Sequence, residues 1–383
     1  MPAPRRLLTV GHSYVVTLNR RLADAMARAA PGRWEVTAVA PRFMHGDLGP
    51  IRCEPNPAEA CRTLAVGAYL TRRTHVMMYG LGLRKRLREN WDVVHAWEEP
   101  YILPGGQIAW WTPPRTPLAF TSFQNLTKTY PPPFSWIERM AVRRAAGWIA
   151  VTENIEATLL PRPGYAARPH AVIPIGVDVE AFRPNPAAGA AVRHALGWGA
   201  GPPVVGYLGR FVPEKGLALL TRALDRVAAP WRALLVGGGP EEALLRTWAA
   251  KHGDRVRVVT GVPHDGVPAH LAAMDLLAAP SQSTPQWCEQ LGRMLIEAFA
   301  CGVPVIGSDS GEIPFVLAGA GVVVGERDEA GWTKALGDLI ESPARRDELA
   351  AAGLERAHRR YAWPVVAAAH LAFFDRLREL PRP

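Results

Sequence analysis

The sequence predicts an α/β protein with two Rossmann-like domains, each containing a doubly wound parallel sheet. Its 383 residues are long for one domain and sufficient for two domains that each bury a core. Each half alternates short apolar runs with helical patterns, which is typical of parallel strands joined by helices. Residues 174–203, rich in proline and glycine, separate the halves and are the predicted linker. We therefore expect a first domain at 1–180, a second at 181–361 and a C-terminal segment at 362–383.

The individual strands and helices follow from short apolar runs and their spacing. The first half begins with a strand at 6–10, a turn at Gly11 and a helical stretch at 17–30. Its further strands are predicted at 34–39, 91–95, 118–121, 148–152 and 171–173. The second half has predicted strands at 204–208, 232–236, 255–259, 276–280, 303–307 and 321–324. Helical spacing of Trp363, Phe373 and Phe374 predicts a final helix within 362–380.

Composition indicates a soluble globular protein. Hydrophobic residues make up 48% and charged residues 21% of the chain. No apolar run reaches the ~20 residues that a membrane-spanning helix needs. Arg5 and Arg6 precede only a short apolar stretch without a small-residue cleavage site, so this segment is interpreted as the first strand. We expect a cytoplasmic protein.

The cysteines give no sign of a disulfide framework or a zinc site. None of Cys53, Cys61, Cys288 and Cys301 forms a Cys-x-x-Cys pair or lies in a cluster of histidines. Reduced thiols are therefore expected. Cys288 adjoins Glu289 and would be reactive if exposed; the alternative is a passive loop residue.

A net charge of +9 raises the question of an anionic partner. No nucleic-acid-binding motif accompanies this charge, so no nucleic-acid partner is expected. The one dense basic cluster consists of Arg84, Lys85, Arg86 and Arg88, interspersed with leucines. It has two interpretations: a peripheral contact with the anionic inner face of a membrane, or a solvated helix face.

Two carboxylates, Glu289 and Glu297, stand eight residues apart around the predicted start of a helix at Gly292. Gly302 and Pro304 are ordinary signals for the end of that helix. At a rise of ~1.5 Å per residue, the carboxylates lie at most about 12 Å apart along the axis. This distance suits the sugar hydroxyls and the ribose diol of a nucleotide sugar, with the helix N-terminus near the diphosphate. The alternative is two unrelated glutamates on an exposed helix.

Two further segments lie upstream. Gly209, Arg210, Lys215 and Gly216 form a Gly-Arg-x4-Lys-Gly segment directly after the strand predicted at 204–208. Residues 234–241 then form a strand that ends in three glycines and a proline. The glycines are expected to shape a tight strand–helix turn near the nucleotide.

In this order and spacing, the three segments resemble the retaining glycosyltransferases of family 4, glycosyltransferase group 1, which have the GT-B fold. The resemblance implies two Rossmann-like domains facing a cleft, with the C-terminal helix crossing back to the N-terminal domain. It also implies transfer of a sugar from a UDP- or GDP-sugar, held mainly by the second domain, to an acceptor hydroxyl, held mainly by the first.

The resemblance assigns the donor site residue by residue. Arg210 and Lys215, following Gly209, would hold the diphosphate, and Glu297 would hold the ribose hydroxyls. Glu289 would hold the donor sugar, helped by the backbone around Gln290, Leu291 and Gly292; Gly261 and Val262 would lie near the base. We count Arg210, Lys215 and Glu289 as the catalytic residues. Fixed cations at the diphosphate stabilise the charge of the leaving group, and no Asp-x-Asp motif is present, so no metal and no cofactor are expected.

The sequence identifies residues on the acceptor side less specifically than those of the donor site. Candidates for contact with the acceptor or the donor sugar are Gly11, His12, Glu99, Gln124 and Asn125. Many family members carry a histidine where this chain has Gln124, and a structural amide at the strand end is the alternative there. The segment Glu289–Gly292 has one residue more than the usual motif, and Leu291 stands where phenylalanine is commoner. His95 is interpreted as a buried or strand-capping residue.

Retention of the anomeric configuration is implied by the family resemblance and not by the spacing of any residues. In front-face displacement the departing phosphate accepts the proton of the acceptor, so both glutamates would be positioning groups. A dinucleotide-dependent oxidoreductase fits poorly, because neither glycine turn has the Gly-x-Gly-x-x-Gly pattern. A nucleotide-sugar epimerase, a sugar-phosphate synthase and a non-catalytic nucleotide-sugar-binding protein remain as alternatives.

Overall fold

The central strands are apolar on both faces, as expected for parallel sheets covered by helices on each side. In the first strand, Leu7, Leu8 and Val10 are all fully buried. The computed structural model describes residues 3–46 and 49–380. The chain divides into unit 1, Met1–Gly176 with Trp363–Pro383, and unit 2, Val177–Ala362.

The strands of unit 1 are β1 (Arg5–Val10), β2 (Trp34–Pro41), β3 (Phe43–Gly46), β4 (Gly49–Arg52), β5 (Arg62–Val66), β6 (Ala68–Tyr69), β7 (Met78–Tyr79), β8 (Val93–Ala96), β9 (Leu118–Ser122), β10 (Gly147–Ala150) and β11 (His170–Val172). Its helices are α1 (Arg21–Ala29), α2 (Leu81–Leu87), α3 (Leu103–Trp111), α4 (Phe134–Arg144), α5 (Glu153–Leu159) and, from the C-terminal segment, α14 (Trp363–Glu379).

The strands of unit 2 are β12 (Val204–Arg210), β13 (Arg232–Gly238), β14 (Val256–Thr260), β15 (Leu276–Ala279), β16 (Val305–Ser308) and β17 (Val322–Val324). Its helices are α6 (Pro186–Ala195), α7 (Leu217–Arg226), α8 (Glu242–His252), α9 (Val267–Ala272), α10 (Arg293–Ala300), α11 (Ile313–Leu317), α12 (Glu329–Glu341) and α13 (Pro343–Arg356).

Both main sheets are parallel and doubly wound. The sheet of unit 1 has the order β11-β10-β9-β8-β1-β2-β5, and that of unit 2 has the order β14-β13-β12-β15-β16-β17. In each sheet the strand order reverses once, between β1 and β8 in unit 1 and between β12 and β15 in unit 2. Ligands of such sheets bind outside the carboxyl ends of the strands at this switch point. Each unit therefore has one edge where a binding site is expected.

The C-terminal helix belongs to the first unit, as predicted. Helix α14 packs against α1, and buried Phe373, Phe374 and Leu377 join the core of unit 1. Asp375 accepts ion pairs from Arg5 and Arg33 in the N-terminal segment. These contacts explain why the last helix completes a unit whose other elements lie more than 180 residues earlier in the chain.

The division between the units falls within the predicted linker at 174–203, but most of that segment belongs to unit 2 and part of it is helical. Residues 186–195 form α6, which packs against α9, and Phe182 and Trp198 are buried. The sequence signal for this helix is Asn185-Pro186. Asn185 caps the helix by accepting from the backbone N–H of Ala188 at 3.1 Å, and proline suits the first helical position.

Five strands were not predicted. β5 joins the main sheet of unit 1 at its edge, whereas β3 with β4 and β6 with β7 form two small antiparallel pairs. These segments are short and mix polar with apolar residues. Their pairing depends on contacts distant in sequence, so local pattern gives little signal for them.

Among the described residues, no helix has both the length and the apolar character required to cross a membrane.

Candidate functional site

The switch point of unit 2 brings the two donor-site segments together. The first segment runs from Arg210, the last residue of β12, to Lys215; the second follows β15 and runs from Pro280 to Gly292. Because β12 and β15 are adjacent parallel strands, their carboxyl ends lie side by side. The predicted diphosphate-binding and sugar-binding residues therefore share one edge of one sheet.

Arg210 and Lys215 are held differently. Arg210 ends β12 with an exposed side chain, and its carbonyl oxygen accepts a hydrogen bond from the Tyr207 hydroxyl at 2.7 Å. Its guanidinium forms no ion pair with another described residue. Lys215 lies in a 3-10 turn, Pro213–Lys215, and is 8% exposed. The structure thus presents one free guanidinium and one enclosed ammonium group.

Gly216 allows the two segments to approach each other. Its φ of 67° lies in the left-handed region, and a Cβ at this position would overlap the carbonyl oxygen of Pro280. Glycine is therefore required here for both its conformation and its small size. Gly237 acts similarly on the neighbouring strand, where a Cβ would overlap the carbonyl oxygen of Gly209. This is the shaping role expected for the glycine turn after β13.

Lys215 and Glu289 form a buried ion pair. Lys215 Nζ donates to Glu289 Oε2 at 2.5 Å, and the Ser281 hydroxyl donates to the same oxygen at 2.9 Å. The ammonium group also lies 5.0 Å from the centre of the Trp287 ring, within the range of a cation–π interaction. Two predicted catalytic residues, 74 positions apart in sequence, are thus in direct contact.

The backbone of Glu289 is held by the segment after β16. Its carbonyl oxygen accepts from the backbone N–H of Glu312 at 3.0 Å. A Cβ at Gly311, whose φ is 53°, would overlap that carbonyl group. The orientation of Glu289 is therefore fixed by both its side-chain partners and its backbone neighbours.

Glu297 lies inside α10, and Glu289 lies in the loop before it, as the sequence predicted. Gly292 precedes the first residue of α10 and has a left-handed φ of 68°. Glu297 is 6% exposed, as is Glu289. Within the intervening segment, Leu291 is buried and Gln290 is exposed. Seven of the eight residues of α10 are buried, so this helix gives the second carboxylate a rigid support.

Gly261 and Val262 follow β14, at the same edge of the sheet. Since the order is β14-β13-β12, they lie two strands from Arg210, at a spacing of about 10 Å. Gly261 is exposed and has a left-handed φ of 73°. The structure therefore places the predicted base-binding turn at a distance from the Lys215–Glu289 pair, without contact between them.

At the switch point of unit 1, His12 contacts Glu98. Gly11 follows β1, and the backbone N–H and Nδ1 of His12 both donate to the Glu98 carboxylate, at 2.6 and 2.5 Å. The Glu98 side chain is fully buried. Sequence reasoning selected Glu99 here and missed Glu98 as a functional candidate.

Glu99 points to the next strand. Its carboxylate accepts from the Ser122 hydroxyl at 2.7 Å and from the backbone N–H of Phe123 at 2.5 Å. Burial of this carboxyl group raises its pKa to about 7, although both hydrogen bonds favour the charged form. Glu99 therefore joins the ends of β8 and β9.

Gln124 has the local contact expected of a structural amide. Its Nε2 donates to the carbonyl oxygen of Leu126, and its backbone N–H donates to the Ser122 hydroxyl at 3.3 Å. Gln124 and Asn125 are both buried. These hydrogen bonds support the loop after β9. Contact of Gln124 or Asn125 with a substrate remains a prediction.

His95 is a buried structural residue, as expected. Its ring nitrogens bond the hydroxyls of Thr9 and Thr121 at 3.0 and 2.8 Å. Burial holds its pKa well below 6.5, so the ring is neutral. Cys288 is also buried, which favours the passive interpretation of that thiol.

Residues that sequence reasoning missed include Ser281 and Trp287 beside Lys215 and Glu289, and Glu98 beside His12. Ser281 and Glu98 follow predicted strands by one and three residues, at the edge where ligands of doubly wound sheets bind. Attention to strand ends would have found both. Trp287 carries no comparable sequence signal.

Family models match both halves of the chain. Residues 15–181 match the model of Glycosyltransferase Family 4, and residues 190–356 match the model of Glycosyl transferases group 1. The chain belongs to glycosyltransferase family 4. The resemblance inferred from the motifs is thereby confirmed.

Its relatives include GDP-mannose-dependent alpha-(1-6)-phosphatidylinositol monomannoside mannosyltransferases. The protein of that description from Mycolicibacterium smegmatis is 37% identical over 59% of this chain and 62% of its own length, which is just under two thirds. The one from Mycobacterium tuberculosis is 34% identical over 67% of this chain and 70% of its own length.

Solved structures confirm the GT-B glycosyltransferase fold. A glycosyltransferase from Rickettsia africae superposes with a TM-score of 0.77 at 14% identity, covering 99% of this chain and 100% of that one. Anabaena HepE in complex with UDP superposes with a TM-score of 0.75 at 20% identity, covering 97% and 100%. At these identities the likeness concerns the fold alone.

Proposed function

We propose that this protein transfers a hexose from a nucleotide-diphosphate sugar to an acceptor hydroxyl, with retention of the anomeric configuration and without a metal. The observation that carries the proposal is the Lys215–Glu289 pair beside Arg210 at the switch point of unit 2. GDP-mannose is the first donor to test, because several relatives are named as dependent on it. A UDP-sugar is the second.

The surroundings of Glu289 favour a positioning role. One carboxylate oxygen already accepts from Lys215 and from Ser281, so it lacks the freedom expected of a nucleophile. Retaining hydrolases use a carboxylate nucleophile held near the reacting carbon. In the proposed reaction the departing diphosphate instead accepts the proton of the acceptor, and Glu289 orients the donor sugar.

The two cations account for the proposed independence from metal. Arg210 offers a planar fork for phosphate oxygens, and Lys215 offers a compact charge. Charge that develops on the leaving diphosphate would be stabilised by both groups.

The first test is a thermal-shift screen of the full chain against GDP, UDP, ADP and their sugar conjugates, with EDTA present. We expect one nucleotide class to raise the Tm, and Arg210→Ala and Glu297→Ala to remove most of the shift. Turnover of the matching nucleotide sugar should be unchanged by EDTA. Stabilisation by NAD or a sugar phosphate alone, without any nucleotide response, would reject the proposed function.

We also propose a peripheral contact between unit 1 and an anionic membrane. The side chains of Arg84 and Lys85 in α2 and of Arg88 directly after it are exposed, whereas Arg86 pairs with Glu89 at 2.8 Å. Of the leucines interspersed in this cluster, Leu83 and Leu87 are buried in the core and only Leu81 is exposed.

In this proposal, other exposed apolar side chains of unit 1 make the apolar contact with the membrane. Among the described residues, the five most exposed large hydrophobic side chains are 62–79% exposed and all belong to unit 1: Tyr69, Leu70, Leu81, Trp110 and Trp136. Leu81 adjoins the basic side chains of α2 in sequence, and α3, which carries Trp110, packs against α2. Aromatic and basic residues together are typical of proteins that bind at the membrane interface.

Vesicle cosedimentation tests this contact. We expect the full chain to bind vesicles rich in anionic phospholipid more tightly than phosphatidylcholine vesicles, and less at high salt. Reversing Arg84, Lys85 and Arg88 to glutamate should weaken binding at least tenfold, since each basic residue near the surface contributes about 1 kcal/mol. The matched control reverses Lys251, Lys334 and Arg359, exposed residues of unit 2. Equal loss in both variants would mean that net charge alone, and not this surface, determines binding.

A further inference from the structure

The register of the first sheet brings His12 opposite Glu98. Strands β1 and β8 pair in parallel and end with Val10 opposite Ala96. His12 opens a 3-10 turn two residues after β1, and Glu98 lies two residues after β8, so the two residues come together just beyond the paired strand ends. This is the point at which the strand order of unit 1 reverses. A polar pair here occupies the position where doubly wound sheets bind their ligands.

Glu98 fixes the orientation of the His12 ring. Its carboxylate accepts three hydrogen bonds, from the backbone N–H of His12 at 2.6 Å, from Nδ1 at 2.5 Å and from the Tyr79 hydroxyl at 2.9 Å. Nδ1 is therefore a donor, and Nε2 lies on the opposite side of the ring. The His12 side chain is 28% exposed, and its Nε2 bonds to no other described residue. The free ring nitrogen is thus available to a ligand.

The charges around His12 favour the imidazolium form. Burial alone would lower the pKa of His12, but attraction to Glu98 and the hydrogen bond to it raise the pKa above 6.5. The other polar groups that face the pair are the hydroxyls of Tyr79 and Tyr14, and the latter is bonded to Thr9. Glu99 is engaged by Ser122 and Phe123. The positive charge is therefore present at low pH and is lost as the pH rises through the raised pKa.

We propose that Glu98 is a positioning residue that presents the His12 imidazolium, through Nε2–H, to a phosphate oxygen of a substrate. An imidazolium has two N–H donors and no acceptor, so its free side requires an acceptor atom, and an anionic oxygen gives the strongest bond. This inference rests on the proposed function. The phosphate belongs either to the nucleotide sugar or to a phosphorylated acceptor.

Histidine NMR of the full chain tests the proposal, with the His12 signal assigned by its loss in His12→Gln. The probes are inorganic phosphate, GDP, D-myo-inositol 3-phosphate and uncharged myo-inositol. We expect at least one of the three phosphate-containing probes to shift the His12 signal and raise its titration midpoint, with the effect fading above that midpoint. A response to GDP or to inositol phosphate identifies the source of the phosphate. Myo-inositol should have no effect.

Two variants separate positioning from packing. Glu98→Gln keeps the shape and removes the charge, so the titration midpoint of His12 should fall by about one pH unit and phosphate binding should weaken about tenfold. Glu99→Gln, the neighbouring carboxylate, should leave the titration of His12 nearly unchanged. If Glu98→Gln does not fold, the titration of His12 in the wild-type chain, with and without the phosphate probes, still tests the proposal.

No response of His12 to any phosphate probe would overturn the proposal. If calorimetry shows GDP binding in that case, the proposed function stands and only the role of His12 fails. If neither GDP nor UDP binds at all, the proposed function fails, and the response to inorganic phosphate still tests His12 independently.

Discussion

Lys215→Ala is expected to lower kcat/KM for the nucleotide sugar about 10²–10³-fold, the usual loss when a group that stabilises developing charge is removed. The ammonium group of Lys215 is 8% exposed and adjoins Glu289, so its charge acts in a water-poor site. Removal leaves Glu289 without its cation as well. We expect the affinity for GDP to fall about 10–100-fold and the affinity for GMP to fall much less.

The control for this prediction is Lys251→Ala, an exposed lysine in α8 of the same unit. It should keep wild-type activity and nucleotide affinity. Calorimetry with GDP and GMP, together with the Tm of each variant, separates the possible outcomes. Equal loss of affinity for both nucleotides in Lys215→Ala would indicate that the lysine only supports the fold of the loop.

Gly216→Ala is expected to destabilise the protein by about 3 kcal/mol, because strain and overlap act together. The residue has a φ of 67°, and its new Cβ would overlap the Pro280 carbonyl group, a backbone atom that cannot move without displacing the loop after β15. For a unit of this size we expect the Tm to fall by roughly 6–12 °C. Nucleotide binding should also weaken, since Lys215 and Ser281 flank the overlap.

Gly238→Ala is the matched control, because it lies at the end of the adjacent strand β13. A Cβ there meets no atom within 4 Å. Its Tm should stay within about 2 °C of the wild type, as expected for an unobstructed site. If both variants melt alike, the close approach of Gly216 to Pro280 does not contribute to stability.

Much of the donor site could be predicted because its signals are local. Gly292 directly precedes α10 and Gly302 follows its end. A short segment of sequence therefore specifies the helix that holds Glu297. The Gly-Arg-x4-Lys-Gly spacing likewise places Arg210 and Lys215 directly after the strand predicted at 204–208. The roles assigned to these residues remain predictions until the nucleotide experiments are made.

The acceptor side was harder to predict because it depends on register. Glu98 and Glu99 are adjacent, and sequence alone gives no reason to prefer one as the partner of His12. The pairing of Val10 with Ala96 decides that Glu98 faces His12, while Glu99 turns toward Ser122. The choice between two neighbouring carboxylates is thus made by the contacts that form just beyond the strand ends, which the sequence does not specify.

The sequence by itself determined two doubly wound sheets, the C-terminal helix and the segments that carry the charged residues. Those features depend on periodicity and on helix signals within about 20 residues of chain. Only the tertiary structure decided the pairing of Lys215 with Glu289, the pairing of His12 with Glu98 and the burial of Leu83 and Leu87 under the basic face of α2. Each of these depends on which strand ends and helix faces become neighbours. Strand order and register are set by the packing of the whole unit, and no local pattern specifies them.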